Sequence, residues 1–383
     1  MRIRLTLLLL ATAAALVMPL LALGESRPDP ERTRGQFEIQ LPAGIPRELW
    51  NYFIPRGNPM TADKVELGRR LFLDSRLSAD GSVSCATCHD PARAFTDGDP
   101  VAVGIAGRRG VRNSPTLLNA MFNVAQFHDG RAATLEDQAI LPLINPSEMG
   151  NSSMLEVVDR LESIPEYATG FRRVFGMPVT ATSLAQAVAA FERTLVSGDS
   201  AFDRWTAGQP EALTSAAQRG LALFRGRARC STCHTLNTSF AFFTDNTYRN
   251  TGVSARRDDF NPLARLARQW SRSNSTQEPL EHFSNQPAAF ELGRFLVTGH
   301  SLDVGAFKVP SLRDVQATAP YFHDGSVATL HDVVRFYAGG STDPRRDWEL
   351  QQINLSDSEQ DDLVEFLKSL TGHRAEMKPA SGP

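Results

Sequence analysis

Cys85-Ala86-Thr87-Cys88-His89 sets two thiols three positions apart with an imidazole directly after the second, and Cys230-Ser231-Thr232-Cys233-His234 repeats the arrangement. In this pattern each cysteine sulfur can add across a vinyl group of haem, and the histidine then supplies a ring nitrogen to the iron as proximal ligand. The two copies use all four cysteines of the chain, leaving none for a disulfide or a free reactive thiol. Zinc sites and redox dithiols also use paired cysteines, but neither requires a histidine directly after each second cysteine. The expected cofactors are therefore two covalently bound c-type haems, one on Cys85, Cys88 and His89 and one on Cys230, Cys233 and His234.

The amino terminus fits that chemistry. Met1-Arg2-Ile3-Arg4 carries two positive charges and precedes an apolar run from Leu5 to about Leu21, ending in Ala22-Leu23-Gly24 before Glu25. This reads as a secretory signal peptide over 1–24. A retained membrane anchor is the alternative, disfavoured by the short apolar core and the cleavage-like small residues. A periplasmic protein is expected. The net charge of −3 gives no argument for nucleic acid, and no later apolar stretch is long enough to suggest an integral membrane domain.

The motifs need elements to hold them. Residues 25–45 are polar and proline-rich and read as a disordered lead-in. A helix is predicted from Thr61, with Val65, Leu67, Leu71 and Phe72 on one face, delivering the chain to the first motif. Gly68-Arg69-Arg70-Leu71-Phe72 matches Gly220-Leu221-Ala222-Leu223-Phe224 ahead of the second. Downstream the match is closer: Pro115 to His128 and Pro310 to His323 both span 13 positions, and Phe127-His128-Asp129-Gly130 and Phe322-His323-Asp324-Gly325 keep every following offset through Ala-Thr-Leu. An internal duplication follows. Further helices are predicted around 184–193 and from Leu355 to Leu370, the latter capped by Ser356 or Asp357, and strand signals are sparse. The expected architecture is mainly α, with two tandem cytochrome c-like haem domains, 46–200 and 201–375, their haems near the domain interface, and a flexible tail at 376–383. A polar segment at roughly 245–290 reads as a surface excursion or flap.

What each haem does depends on the other face of its iron. Fourteen residues after the repeated histidine lies Pro142 in the first half and Tyr337 in the second. Proline has no donor atom, which leaves the first iron open to substrate, whereas a tyrosine can fill the second. No methionine lies between His234 and Glu376, and the competitors for that position are His282, His300, His331, Tyr248 and Tyr321. A tyrosine buried in the core is the plainer alternative. Beyond Pro142, Glu148 in Asn145-Pro146-Ser147-Glu148-Met149-Gly150 is a carboxylate able to move a proton between the two oxygens of a peroxide, and Gln138 is placed to orient it.

These stretches resemble those of the bacterial di-haem cytochrome c peroxidases and the related MauG enzymes: CATCH and CSTCH, Arg112-Asn113-Ser114-Pro115-Thr116, FNVAQFHDGRAATLEDQ (122–138), Glu148-Met149 and VPSLRDVQATAPYFHDGS (309–326). The likeness covers about residues 46–372. It implies an N-terminal peroxidatic haem and a C-terminal electron-transfer haem, with Glu148 as catalytic carboxylate, Gln138 as its glutamine partner and Tyr337 as the axial ligand of the second iron. It also implies a calcium ion between the halves, held by Asn113 and the backbone carbonyls of Thr318 and Pro320. The partners implied are hydrogen peroxide, a small c-type cytochrome or copper protein as electron donor, and a second copy of the chain in a homodimer.

The chain departs from the family at three positions. Sixteen residues after His89, where many of the peroxidases place a histidine that blocks the resting iron, stands Ile105. His128 replaces the tryptophan that lies between the haems, and imidazole carries an oxidising charge less well. Ala228 stands where MauG has a surface tryptophan. The resemblance therefore implies a periplasmic peroxidase reducing hydrogen peroxide to water with electrons passed from haem 2 to haem 1. A MauG-like oxidase acting on a partner protein and a non-enzymatic electron-transfer cytochrome are the alternatives.

Overall fold

Thr61 accepts a hydrogen bond from the Lys64 N–H and so starts the helix Ala62–Leu73, which buries Val65, Leu67, Gly68, Leu71 and Phe72. The computed structural model describes residues 37–236, 240–273, 277–286, 288–341 and 343–377. Ala62–Leu73 crosses Ala181–Glu192, which is capped by Thr180. A Cβ added to Gly68 would stand 1.9 Å from the Ala187 carbonyl oxygen, so only glycine permits this crossing. In the second half Ser215–Arg225 crosses Asp357–Lys368 in the same manner, and a Cβ added to Gly220 would stand the same 1.9 Å from the Asp362 carbonyl oxygen. Ser356 caps the last helix in a capping box with Glu359, as its sequence predicts.

Each crossing carries its own apolar core. Leu71, Leu143, Val157, Leu161, Phe171 and Leu184 pack in the first. Phe202, Phe224, Phe243, Leu363 and Phe366 pack in the second. The duplicated stretches also fold alike. Phe127 and Gly130 adopt φ of 66° and 70°, Phe322 and Gly325 adopt 69° and 62°, and the turns are closed by the bridges Gln126↔Ala132 and Tyr321↔Val327. Each turn leads to a ten-residue helix: Leu135–Ile144, capped by Thr134, and Leu330–Gly339, capped by Thr329.

The described chain is mainly helical, its strands being three two-residue antiparallel pairs. One pair corrects an expectation. Residues 37–45, assigned to a disordered lead-in on composition, include the strand Ile39–Gln40 paired with Glu376–Met377, and Ile39 and Ile45 are buried. The same pair orders the beginning of the tail expected at 376–383. The signal peptide, the first part of the lead-in and the end of the tail lie outside the described residues. The polar insertion also proves to have a core of its own, where the helix Phe260–Arg272 packs Phe260, Leu263, Ala264 and Ala267 against Phe283, Leu292 and Phe295.

Candidate active site

The four cysteines are unpaired thiols. Cys85 and Cys88 lie on a single helical turn whose start is held by the reciprocal bonds of Ser84 and Thr87, and Cys230 starts a short 3-10 turn. Burial pushes the Cys85 and Cys230 thiols up to about 12 and Cys88 up to about 11. That is the reverse of a redox dithiol, which needs a depressed thiol pKa. The histidines are set for metal ligation. His89 Nδ1 donates to the Phe95 carbonyl at 3.1 Å and His234 Nδ1 to the Phe243 carbonyl at 2.8 Å. Burial lowers both imidazole pKa values, keeping the rings neutral. With the proton on Nδ1, Nε2 of each ring is the deprotonated nitrogen, the form a proximal haem ligand takes. These residues fit covalently bound c-type haem.

Glu148 is brought to the first motif. Its carboxyl lies close enough to Cys85 and Cys88 for its charge to bear on both thiols. Burial raises its own pKa, against the opposing pull of Arg131 and of a hydrogen bond from Asn145 Nδ2 to Oε1 at 2.7 Å. The loop is built around Asn145, which caps Leu135–Ile144 and whose carbonyl accepts from the N–H groups of Glu148 and Gly150. Pro142 and Gln138 sit on that same helix, one turn apart, and Pro142 O accepts from Met149 N at 3.2 Å. No hydrogen bond joins Gln138 to Glu148 among the described residues.

Ile105 turns out to belong to the same loop system. Its N–H donates to the Glu148 carbonyl at 2.9 Å, and its side chain is buried against Gly150, where an added Cβ would stand 2.0 Å from Ile105 Cδ1. Gly104 lies equally close to this backbone, a Cβ there falling 2.2 Å from Ser147 O and 2.5 Å from Glu148 O. The segment carrying Ile105 is thus a brace for Glu148.

In the second half Tyr337 occupies the eighth position of Leu330–Gly339, as Pro142 does in Leu135–Ile144. Burial pushes the phenol well above its ordinary value, with the neighbouring Cys230 and Cys233 thiols acting in the same sense. The side chain therefore faces the second motif. His128 donates from Nε2 to the Asn113 carbonyl at 3.0 Å, and burial drives its pKa down to about 3, so the ring is neutral. Asn113 is bound to the 318–323 segment, since its N–H donates to His323 O at 2.9 Å, and its side-chain Nδ2 donates to Asp99 O at 2.9 Å. Among the described residues no cluster of three or more His, Cys, Asp or Glu side chains could hold a metal ion. The Asn113, Thr318 and Pro320 set consists instead of amide and carbonyl oxygens.

Two residues of the Glu148 environment escaped the sequence reading. Asn145 stood in the motif without a role, and its signal was the spacing of three that a short loop can close with a hydrogen bond. Arg131, whose charge bears on Glu148, is chelated by Asp129 at 2.9 and 3.0 Å and stacks over Phe127 at 3.5 Å. Nothing in the sequence brings position 131 to position 148.

The family model described as di-haem cytochrome c peroxidase matches residues 62–211, and one described as RoxA-like, cytochrome c-like, matches residues 306–336. The methylamine utilization protein MauG of Methylorubrum extorquens is 40% identical over 324 residues, covering 84% of this chain and 82% of that protein. The chain belongs to the di-haem cytochrome c peroxidase/MauG family. Cytochrome-c peroxidase IdrP1 of Denitromonas iodatirespirans is 39% identical over 332 residues, 83% of this chain and 84% of that one. Among solved structures, a MauG-like protein associated with microbial copper homeostasis aligns with a TM-score of 0.69 at 32% identity, over 87% of this chain and 93% of its own. As a di-haem family member the chain is a haem oxidoreductase, and that family implies covalently bound c-type haems. Among the described residues no helix is long and apolar enough to cross a membrane.

Proposed function

We propose that this protein is a periplasmic di-haem peroxidase that reduces hydrogen peroxide to water, with haem 1 in domain 46–200 as the peroxide site and haem 2 in domain 201–375 receiving electrons from a small c-type cytochrome or copper protein. The observation that carries the reading is the Glu148 carboxyl, half-buried near Cys85 and Cys88, with its pKa raised by desolvation. The bound haems supply peroxide ligation and the two electrons that O–O cleavage consumes. The protein's part is proton movement. Cleavage to two waters takes up two protons, and a carboxyl lifted toward neutrality can accept a proton from the iron-side oxygen and return it to the departing one. Asn145 fixes Oε1, Arg131 keeps the anion accessible, and Gln138 serves to orient peroxide. Ile105 offers the first iron no ligand, so activity needs no prior reduction to displace one.

In this reading Tyr337 would hold the iron of haem 2 through its phenol oxygen. Burial makes the phenol resist ionisation, so a bound ferric iron would have to offset that cost for Tyr337 to serve as phenolate. A calcium ion held by Asn113 with the Thr318 and Pro320 carbonyls pins the two halves. The test is an electron paramagnetic resonance spectrum of the oxidised protein together with peroxide consumption. A high-spin first haem beside a low-spin second, with turnover accelerated by a reduced cytochrome, is expected; two low-spin haems without turnover would overturn it. Tyr337 also favours a second reading, a MauG-like oxidase modifying a partner protein, which His128 and Ala228 weaken.

A further inference from the structure

The helix Ala181–Glu192 ends in a carboxylic acid placed deep in the protein. Glu192 is 4% exposed, and its Oε2 is buried without a hydrogen-bond partner among the described residues. The residue before it, Phe191, packs with Phe72, Phe95, Leu117, Leu118 and Leu195 in the apolar cluster against which Cys85 and Ala86 rest. The Glu192 carboxyl is itself near enough to Cys85 for its charge to bear on that thiol. It therefore lies at the edge where the first haem is covalently anchored, through a cysteine that carries a thioether and does not ligate iron.

None of the charged groups around it forms a salt bridge with it among the described residues. Arg193, adjacent in sequence and 3% exposed, directs Nη2 to Glu136 Oε2 at 2.8 Å, while its Nε and Nη1 are buried without a hydrogen-bond partner among the described residues. Glu136, on Leu135–Ile144, also accepts from Asn58 Nδ2 at 2.7 Å. Lys64, on Ala62–Leu73, gives its Nζ to Asn58 Oδ1 at 2.9 Å and Pro59 O at 2.7 Å. Cys85, the remaining titratable neighbour, ceases to titrate once haem is attached. Glu192 thus has no salt-bridge partner among the described residues, and the Arg193 charge acts on it without a direct contact. Burial, with the Glu136 charge acting in the same sense and Arg193 opposing, pushes it up to about 8.

A buried acid at the attachment edge of a haem would sense the unit change of charge on its iron, so its proton affinity would change with the redox state and the coupling is reciprocal. We infer that Glu192 is the redox-linked proton site of the first haem, holding a proton while the iron is ferrous and releasing it when the iron is ferric. The step balances: ferric iron with the Glu192 carboxylate takes up one electron and one proton to give ferrous iron with the carboxylic acid, and only an O–H bond is made. Each electron delivered to this haem then tends to arrive with a proton, which is what peroxide reduction consumes. The inference depends on the haem at Cys85, Cys88 and His89, not on peroxidase turnover, so the two can fail separately.

The test is a spectroelectrochemical titration of both haems of the holoprotein between about pH 5.5 and 9.5, for the wild type and Glu192→Gln, which matches the protonated acid in shape. The wild-type midpoint potential of haem 1 should fall with rising pH through the carboxyl's titration. Glu192→Gln should abolish that slope while the pH profile of haem 2 is unchanged. A flat wild-type profile, or the same slope in Glu192→Gln, overturns the assignment. Should the variant fail to load haem, reduced-minus-oxidised infrared spectra of the wild type decide. A protonated-carboxyl band gained on reduction near pH 8 supports the proposal, and none gained refutes it.

Discussion

The backbone N–H of Asn113 donates to the carbonyl oxygen of His323 at 2.9 Å, tying a loop of the first half to the turn of the second. The counterpart of each residue lies 195 positions later or earlier, and the reciprocal bond exists: Lys308 N–H donates to His128 O at 2.7 Å. Arg112 and Phe307, related by the same offset, stack on one another at 4.6 Å. The two halves thus exchange equivalent bonds across an approximate two-fold. Their side chains break the symmetry: His128 Nε2 meets the Asn113 carbonyl, whereas His323 Nε2 meets Glu291 Oε2 at 2.8 Å and its ring stacks on Phe307 at 3.7 Å.

Glu148→Gln keeps the shape and the Asn145 contact but cannot accept a proton. Peroxide turnover is expected to fall by about 10²-fold or more, with the haem spectrum unchanged. Steady-state kinetics with a reduced cytochrome decides this, and unaltered turnover would refute the acid–base role.

Gly104→Ala introduces a methyl group that would stand 2.2 Å from Ser147 O. The Ile105 brace must then move off the Glu148 loop, at a cost of about 1–3 kcal/mol in stability. Turnover should drop with haem content intact, and a variant with wild-type melting temperature and kinetics would show that the brace is not needed.

Tyr337→Phe removes the oxygen donor and keeps the ring. The low-spin signal of haem 2 should be lost from the paramagnetic resonance spectrum while that of haem 1 stays. Tyr337→Met should restore a six-coordinate iron at a higher potential than the wild type, since a thioether stabilises ferric iron less than phenolate. An unchanged spectrum in Tyr337→Phe would move the ligand to another residue.

Asp74 ends the helix that leads to the first motif, and its stability contribution has a definite pH sign. Burial alone would raise its pKa, but hydrogen bonds from Arg76 and from Tyr167 Oη at 2.6 Å outweigh this and hold it at about 2. A depressed folded-state pKa stabilises above the ordinary value of 3.8 and is lost as pH falls toward 2. Urea midpoints of the wild type should therefore drop between about pH 4 and pH 2, and Asp74→Asn should flatten that decline. Parallel curves would locate the acid sensitivity elsewhere.

The attachment motifs, the duplication and the offset pairing Pro142 with Tyr337 are local or periodic features, and the sequence by itself determined them. A thioether-forming motif needs only its spacing, a helix cap only its first turn, and a repeat only its register. The strand at Ile39–Gln40 was invisible because its partner lies more than 330 residues away. The core of the insertion was hidden because Phe260, Leu263, Ala264 and Ala267 form a stripe that arginine, glutamine and serine dilute in composition. Only the tertiary structure could bring Arg131 and Ile105 to Glu148, leave Glu192 buried near Cys85 without a salt-bridge partner among the described residues, and exchange the Asn113 and Lys308 bonds between halves. Charge, burial and hydrogen-bond partnership at these sites depend on which distant segments meet, and no window of sequence contains that.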